Sequence, residues 1–171
     1  MNREDAFERA VVPHLDAAYT LARYLLADED EARDAVHDAF VRALKYFDPA
    51  RVRDSRPWLL MIVRHACYAR RATVTEILEY DDSRHSPETD DPTDDSPSFL
   101  FGVTPDALRS AVDALPAEFR EVLILRELHE CTYGEIASVV GAPIGTVMSR
   151  LSRARSRLRA ALSTLASVPG V

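Results

Sequence analysis

The stretch DDSRHSPETDDPTDDSPSF, Asp81 to Phe99, limits what the rest of the chain can build. Phe99 is its sole large apolar side chain, and prolines, serines and paired aspartates fill most of the remainder. Such a segment buries too little apolar surface to offset the entropy of ordering, so it reads as a linker. A 171-residue chain divided there becomes two small units, each of which must close a core. Composition permits this. Hydrophobic residues make up 47% of the chain, and plentiful Ala, Leu, Arg and Glu with only 5 glycines favour helix over strand. Charge follows the same division. Residues 1–71 hold 12 basic and 12 acidic side chains, residues 72–107 hold 1 and 10, and residues 108–171 hold 8 and 6. The net charge of −7 is therefore concentrated around the linker, and its sorting says more about partners than its total does.

Apolar spacing in the first unit, about Arg3 to Arg71, predicts helices. Phe7, Ala10 and Val11 form one set, and Leu15, Ala18, Tyr19, Ala22, Leu25 and Leu26 continue it beyond Pro13. In DEDEARDAVHDAFVRALKYFD the set Ala32, Val36, Ala39, Phe40, Ala43, Leu44 and Phe47 marks an inner face. Acids from Asp28 to Glu31 suit that helix's positive start, and Asp48-Pro49 stops it. After the loop DPARVRDSRP, WLLMIVRHACYARR predicts another helix with Trp58, Leu59, Ile62, Val63, Ala66 and Tyr68 or Ala69 inside.

The second unit begins near Thr104-Pro105 and reads as helix, helix, short helix, turn, long helix. Thr132 is placed to cap the short helix with Glu135 three residues on, the capping-box spacing. Gly141 stands where a left-handed residue ends that helix, and Ala142-Pro143 complete the turn. The long helix carries Ile144, Val147, Leu151, Ala154, Leu158 and Ala161 or Leu162 on its expected inner side. At about 100° per residue, Gly145, Ser149, Ser152, Arg153 and Ser156 then point outward. Arg150 and Arg157 lie on one flank, Arg155 and Arg159 on the other, and from Ile144 onward there is no carboxylate. Two helices joined by a short glycine turn match a helix-turn-helix. Small residues at the centre let such a helix approach base edges, and flanking arginines reach phosphates.

Other classes find less support. No run of 18 apolar residues exists, and the charged start MNREDAFERAVVPH lacks the apolar stretch of a signal peptide. Neither membrane insertion nor export is expected, which places the chain in the cytoplasm. Cys67 and Cys131 fit no CxxC spacing; a disulfide stays open, but two buried, reduced thiols suit that compartment better. His14, His37, His65, His85 and His129 are scattered, and a close pair such as His65-x-Cys67 is too weak a signal by itself, so no metal or other cofactor is expected. No Gly-rich phosphate loop, nucleophile elbow or His-Glu-x-x-His pattern points to an enzyme.

At this resolution the motifs are recognisable. TYGEIASVVGAPIGTVMSRLSRARSRLR closely resembles the C-terminal DNA-binding domain of the extracytoplasmic-function (ECF) sigma factors of the sigma-70 family, and ALPAEFREVLILRELHECTYGEIA matches in character. EARDAVHDAFVRALKYFD resembles the family's polymerase-binding helix, often D-L-V-Q-E-T-F-x-R-A. PWLLMIVRHACYARR resembles its promoter −10 helix, commonly W-L-x-x-I-A-R-N followed by basic residues. The resemblance covers nearly the whole chain. It implies an all-α protein of two small helical domains: a sigma-2-like bundle over residues 1–72 and a sigma-4-like helix-turn-helix over residues 105–171. A flexible acidic linker over residues 73–104 would join them.

It also implies roles. Asp34, His37, Asp38 and Arg42 would bind core RNA polymerase. Arg53, Arg56, Trp58, Arg64, Arg70 and Arg71 would meet the single-stranded −10 element, where an unstacked base must be compensated by protein contacts. Thr146, Met148, Ser149, Arg150, Ser152, Arg153 and Arg157 would meet the double-stranded −35 element. An anti-sigma factor would control the protein. The linker would act as a polyanion mimic in a nucleic-acid channel or as an ordinary solvated tether. Three positions depart from the family pattern: His37 stands where Gln is frequent, Met148 where Lys or Arg is common, and His65-Ala66-Cys67 where an Asn-containing stretch is usual. The chain's short end after the arginine helix also leads us to expect no fused regulatory domain. Two readings compete. One is a standalone helix-turn-helix regulator with an N-terminal dimerisation or sensing domain; the other is a helical adaptor whose arginines meet an acidic protein.

Overall fold

A computed structural model describes residues 2–74 and 103–166. Residues 75–102, most of the expected linker, lie outside the described residues. The elements are α1 (Arg3–Val11), a 3-10 turn (Val12–His14), α2 (Leu15–Leu25), α3 (Glu29–Tyr46) and α4 (Ser55–Val74), then α5 (Pro105–Asp113), α6 (Ala117–Glu127), α7 (Tyr133–Val140) and α8 (Ile144–Ala166). Among the described residues there is no strand, as the composition implies.

In the first unit, α3 packs against α2 and α4. Its buried line is Ala32, Ala35, Ala39 and Ala43, ending in Phe47. Small side chains at i, i+3, i+4 spacing let the neighbouring helices come close. Val36 and Phe40 sit half-buried beside that line. Leu44, expected inside, is 42% exposed, because it stands one residue, roughly 100° of rotation, beyond Ala43. Phe7 closes the bottom of the bundle with edge-on contacts to Phe40 at 5.2 Å and Phe47 at 5.4 Å between ring centroids. Arg3 then donates to the carbonyls of Leu44 (2.7 Å), Lys45 (2.8 Å) and Phe47 (3.1 Å), satisfying the C-terminal end of α3. At the other end the Asp28 carboxylate accepts from the Glu31 amide at 2.9 Å. On α4, Leu59, Leu60, Ile62, Val63 and Cys67 are buried, whereas Trp58, Ala66 and Tyr68 are half-buried and Ala69 is exposed.

The second unit is organised around α6, in which Phe119, Glu121, Val122, Leu123, Ile124 and Leu125 are all buried. A helix covered on most sides needs a near-continuous apolar run, and Val122 to Leu125 supplies it. Arg120, next to that run, donates to the carbonyls of Val112 (3.2 Å), Asp113 (2.8 Å) and Leu115 (2.7 Å), closing the end of α5. The helix-turn-helix follows with the expected local chemistry. The Thr132 hydroxyl accepts from the Glu135 amide at 3.1 Å, and the Glu135 carboxylate accepts from the Thr132 amide at 2.8 Å. Gly141 takes φ 68° and ψ 37°, and its amide reaches the Ala137 carbonyl at 2.9 Å. A Cβ there would meet nothing within 4 Å, so only backbone strain opposes a side chain. Gly141→Ala should accordingly destabilise the protein by about 1 kcal/mol, read from the shift of a urea unfolding midpoint.

The two units pack on each other, α2 on α6 and α4 on α7. Arg120 crosses that boundary with a 2.7 Å bond to the Tyr24 carbonyl. Four bonds from one guanidinium thus tie α5, the turn after it and α2 together.

Candidate nucleic-acid and protein interfaces

The capped turn presents the first half of α8. Val147, Leu151, Ala154, Leu158 and Leu162 are buried beneath it. Gly145, Met148 and Ser149 are exposed; Thr146, Arg150, Ser152, Arg153 and Ser156 are half-buried. Ile144, expected inside, is 49% exposed, because the first residue of the helix overhangs the turn instead of entering the core. Arg157 is exposed, with its guanidinium 5.0 Å from the Phe119 ring centroid, and Arg155 bonds Glu127 at 2.8 Å. Thr146, Met148, Ser149, Arg150, Ser152, Arg153 and Arg157 therefore share one stretch of helix whose polar centre is made of small residues.

A second surface lies on the outer side of α3. Asp34, His37, Asp38 and Arg42 are exposed. The same helix also exposes Val41 (53%), Leu44 (42%) and Tyr46 (63%), so this face is amphipathic. Sequence reasoning passed over Val41 and placed Leu44 inside; a helical-wheel line through the alanines alone would have shown both facing out. Asp38 is already engaged, accepting from Arg70 at 2.6 Å, and Arg70 also holds Glu31 at 3.2 Å. The bonds from Asp38 and Glu31 hold the Arg70 guanidinium above its ordinary range, against a smaller opposing effect of burial. One of the arginines expected at DNA is thus fastened to one of the carboxylates expected at a protein.

The other arginines of the first unit are not gathered on one open face. Arg53 is exposed in the loop before α4. Arg71 lies 5.7 Å from the Tyr68 ring centroid, and Trp58 packs 6.0 Å from Phe47. Arg56 donates to the His129 carbonyl at 3.0 Å and to the Glu135 carboxylate at 3.1 Å. Arg64 grips Glu121 with a two-pronged pair, Nε to Oε2 at 2.7 Å and Nη2 to Oε1 at 3.1 Å, and stacks 4.5 Å from the Tyr68 ring centroid.

Glu121 is completely buried, the only such charged side chain among the described residues. Burial holds its carboxyl above the ordinary carboxylate range, against the smaller opposing pull of the Arg64 bonds and, after them, of Tyr68 and Arg150. Neither Glu121 nor Arg120 was singled out from the sequence. The one available signal was a carboxylate abutting the apolar run Val122 to Leu125, and its partner is 57 residues away. Burial pushes the thiols of Cys67 and Cys131 up to about 12 and about 11, so both are poor nucleophiles. No group of three or more His, Cys, Asp or Glu side chains suited to a metal occurs among the described residues.

Comparison with known proteins gives a consistent pattern. The family description Sigma-70 region 2 matches residues 10–74, and Sigma-70, region 4 matches residues 106–158. The chain is 30% identical over 154 residues to the ECF RNA polymerase sigma factor EcfG of Rhodopseudomonas palustris, covering 90% of this chain and 81% of that one. It is 33% identical over 148 residues to the ECF RNA polymerase sigma factor SigC of Mycobacterium tuberculosis, covering 79% and 72%. With SigE of Mycolicibacterium smegmatis, an ECF RNA polymerase sigma factor, it shares 28% over 158 residues, spanning 60% of that relative's length. Among solved structures, its fold is similar to that of the sigma factor RpoE in complex with the anti-sigma factor NepR from Bartonella quintana. The TM-score is 0.69 at 24% identity, over 92% of this chain and 96% of that one. CnrH, solved in complex with the cytosolic domain of CnrY, gives a TM-score of 0.64 at 25% identity, over 95% and 91%.

Proposed function

This chain belongs to the extracytoplasmic-function group of the sigma-70 family, and on that footing we propose how its surfaces divide the work of transcription initiation. It binds core RNA polymerase and directs it to promoters, acting in the cytoplasm as a DNA-binding initiation factor with no catalytic step of its own. The exposed α3 face, with Asp34, His37, Asp38 and Arg42 around Val41 and Leu44, is the polymerase contact. The loop before α4 and α4 itself, with Arg53, Arg56, Trp58, Arg64, Arg70 and Arg71, take the melted −10 strand. The first half of α8, with Thr146, Met148, Ser149, Arg150, Ser152, Arg153 and Arg157, takes the −35 duplex. Residues 1–72 and 105–171 are the two working domains, and residues 73–104 link them. An anti-sigma factor holds the protein inactive by covering the polymerase contact.

One observation carries the reading: regions 2 and 4 follow in order on two helical units, the first exposing an amphipathic helix face and the second a capped helix-turn-helix. Low-salt binding to duplex DNA alone means little, because phosphate contacts are not selective. The test is fluorescence anisotropy of labelled chain against bacterial core polymerase and a promoter fragment. The expected result is tight binding to core, with promoter retention only by the assembled complex. Selective duplex binding by the chain alone, unaffected by core, would instead support a standalone helix-turn-helix regulator.

A further inference from the structure

Among the described residues, Ile144 and Met148 are the two large apolar side chains that α8 leaves exposed, at 49% and 42%. They stand four residues apart, so they are neighbours on one side of the first helical turn. Single apolar residues on a surface call for no explanation. This pair, however, sits where the surface is otherwise a glycine, the hydroxyls of Thr146, Ser149 and Ser152, and guanidiniums. A Cβ on Gly145 would meet nothing within 4 Å, so the backbone beside the pair is open to close approach. No carboxylate follows Ile144 in the sequence, and Arg150, Arg153 and Arg157 lie along the same stretch, so charge selects a polyanion as the occupant.

We propose that Ile144 and Met148 form an apolar clamp that reads a thymine methyl group in the −35 duplex. This rests on the assignment of α8 to that duplex given above, and adds to it one residue, Ile144, and one base identity. The start of a recognition helix is the part that meets base edges. In the major groove guanine shows two acceptors, adenine an acceptor and a donor, and cytosine a donor, while thymine alone sets a methyl beside its acceptor. A lysine or arginine at position 148 would favour guanine. A thioether or a branched alkyl chain pairs with none of the polar edges and gains only by covering the methyl. The rotatable bonds of Met148 let it follow the methyl, and Ile144, stiff at χ1, backs it from the turn.

The test lets the full chain, bound to core polymerase, select from duplexes randomised over the −35 element. Thymine should be fixed on one strand at one or more base pairs. Each such thymine is then replaced by deoxyuridine, which removes the methyl and nothing else. The wild-type complex should bind one of these duplexes about fourfold more weakly, the worth of one methyl kept from water. The double variant Ile144→Ala, Met148→Ala should bind the thymine and deoxyuridine duplexes alike. Both side chains are exposed, and a general loss of fold would weaken the two duplexes equally, so the ratio isolates the methyl contact. Selection without thymine, equal wild-type affinity for the two duplexes, or an undiminished ratio in the double variant overturns the proposal and leaves the −35 assignment standing. A complex that enriches no upstream sequence sinks that assignment and the proposal with it.

Discussion

Replacing Arg120 with methionine should lower the thermal midpoint of the protein by roughly 10–20 °C, the largest effect expected of any single side chain outside the apolar core. Methionine is an unbranched apolar chain about as long as the stem of arginine, so the change removes the guanidinium and keeps the stem's packing. That group makes four bonds to main-chain carbonyls, those of Val112, Asp113, Leu115 and Tyr24. The first three lie at the end of α5 and in the turn that feeds α6; the Val112 carbonyl also accepts from the Leu115 amide at 3.1 Å, so the Asp113 and Leu115 carbonyls depend most on Arg120. Net contributions of hydrogen bonds from charged donors run to about 1.5–3 kcal/mol, and stranded carbonyls add to the loss, so a total on the order of 3 kcal/mol is reasonable. Small units lose about 4–8 °C per kcal/mol. Arg126→Met serves as control. It gives up one carbonyl bond, to Cys131 at 3.0 Å, and a contact 4.7 Å from the Tyr133 ring centroid, and should shift the midpoint by no more than a few degrees. Differential scanning calorimetry of the three proteins decides the matter; equal midpoints for wild type and R120M would show that the carbonyls find other partners.

The double substitution Val41→Glu, Leu44→Glu should weaken binding to core polymerase by on the order of 100-fold while leaving the fold untouched. Both side chains are exposed in the isolated chain, 53% and 42%, so new carboxylates there meet water and strain nothing. At an interface the same carboxylates would be desolvated without a partner, which costs more than the apolar contact it replaces. A loss near 2.7 kcal/mol corresponds to that 100-fold change. Asp38 is a less clean probe of the same surface, because Asp38→Arg would also release Arg70 and set two cations side by side. Anisotropy titration gives the affinity and circular dichroism the fold. Unchanged binding by the double variant would move the polymerase contact off this face of α3.

What could be read in advance was the chemistry of near neighbours. Thr132 and Glu135 stand three residues apart and Gly141 directly follows the helix they start, so the capping box and the left-handed end were both visible in the string. The inner line of α3 was half visible. Its alanines carry little hydrophobic weight, so larger residues such as Leu44 drew the expected face about one residue too far round, and the surface that Leu44 shares with Val41 was missed. Ile144 was misplaced for a related reason: the apolar period continues into the first residue of α8, where the turn leaves nothing to pack on. The long-range ion pairs were out of reach. Arg64 and Glu121 are 57 residues apart and Arg56 and Glu135 are 79 apart, and no local rule joins them. An arginine count marks a nucleic-acid surface equally well whether its guanidiniums are open to DNA or closed on glutamates.

Run-off transcription tests the central claim most directly, using bacterial core polymerase with and without this chain on a promoter taken from its own gene neighbourhood. The account predicts a transcript of defined start that requires the chain and disappears with the Val41→Glu, Leu44→Glu variant. Selective binding of that promoter by the chain alone, with no start site gained when core is added, would contradict it.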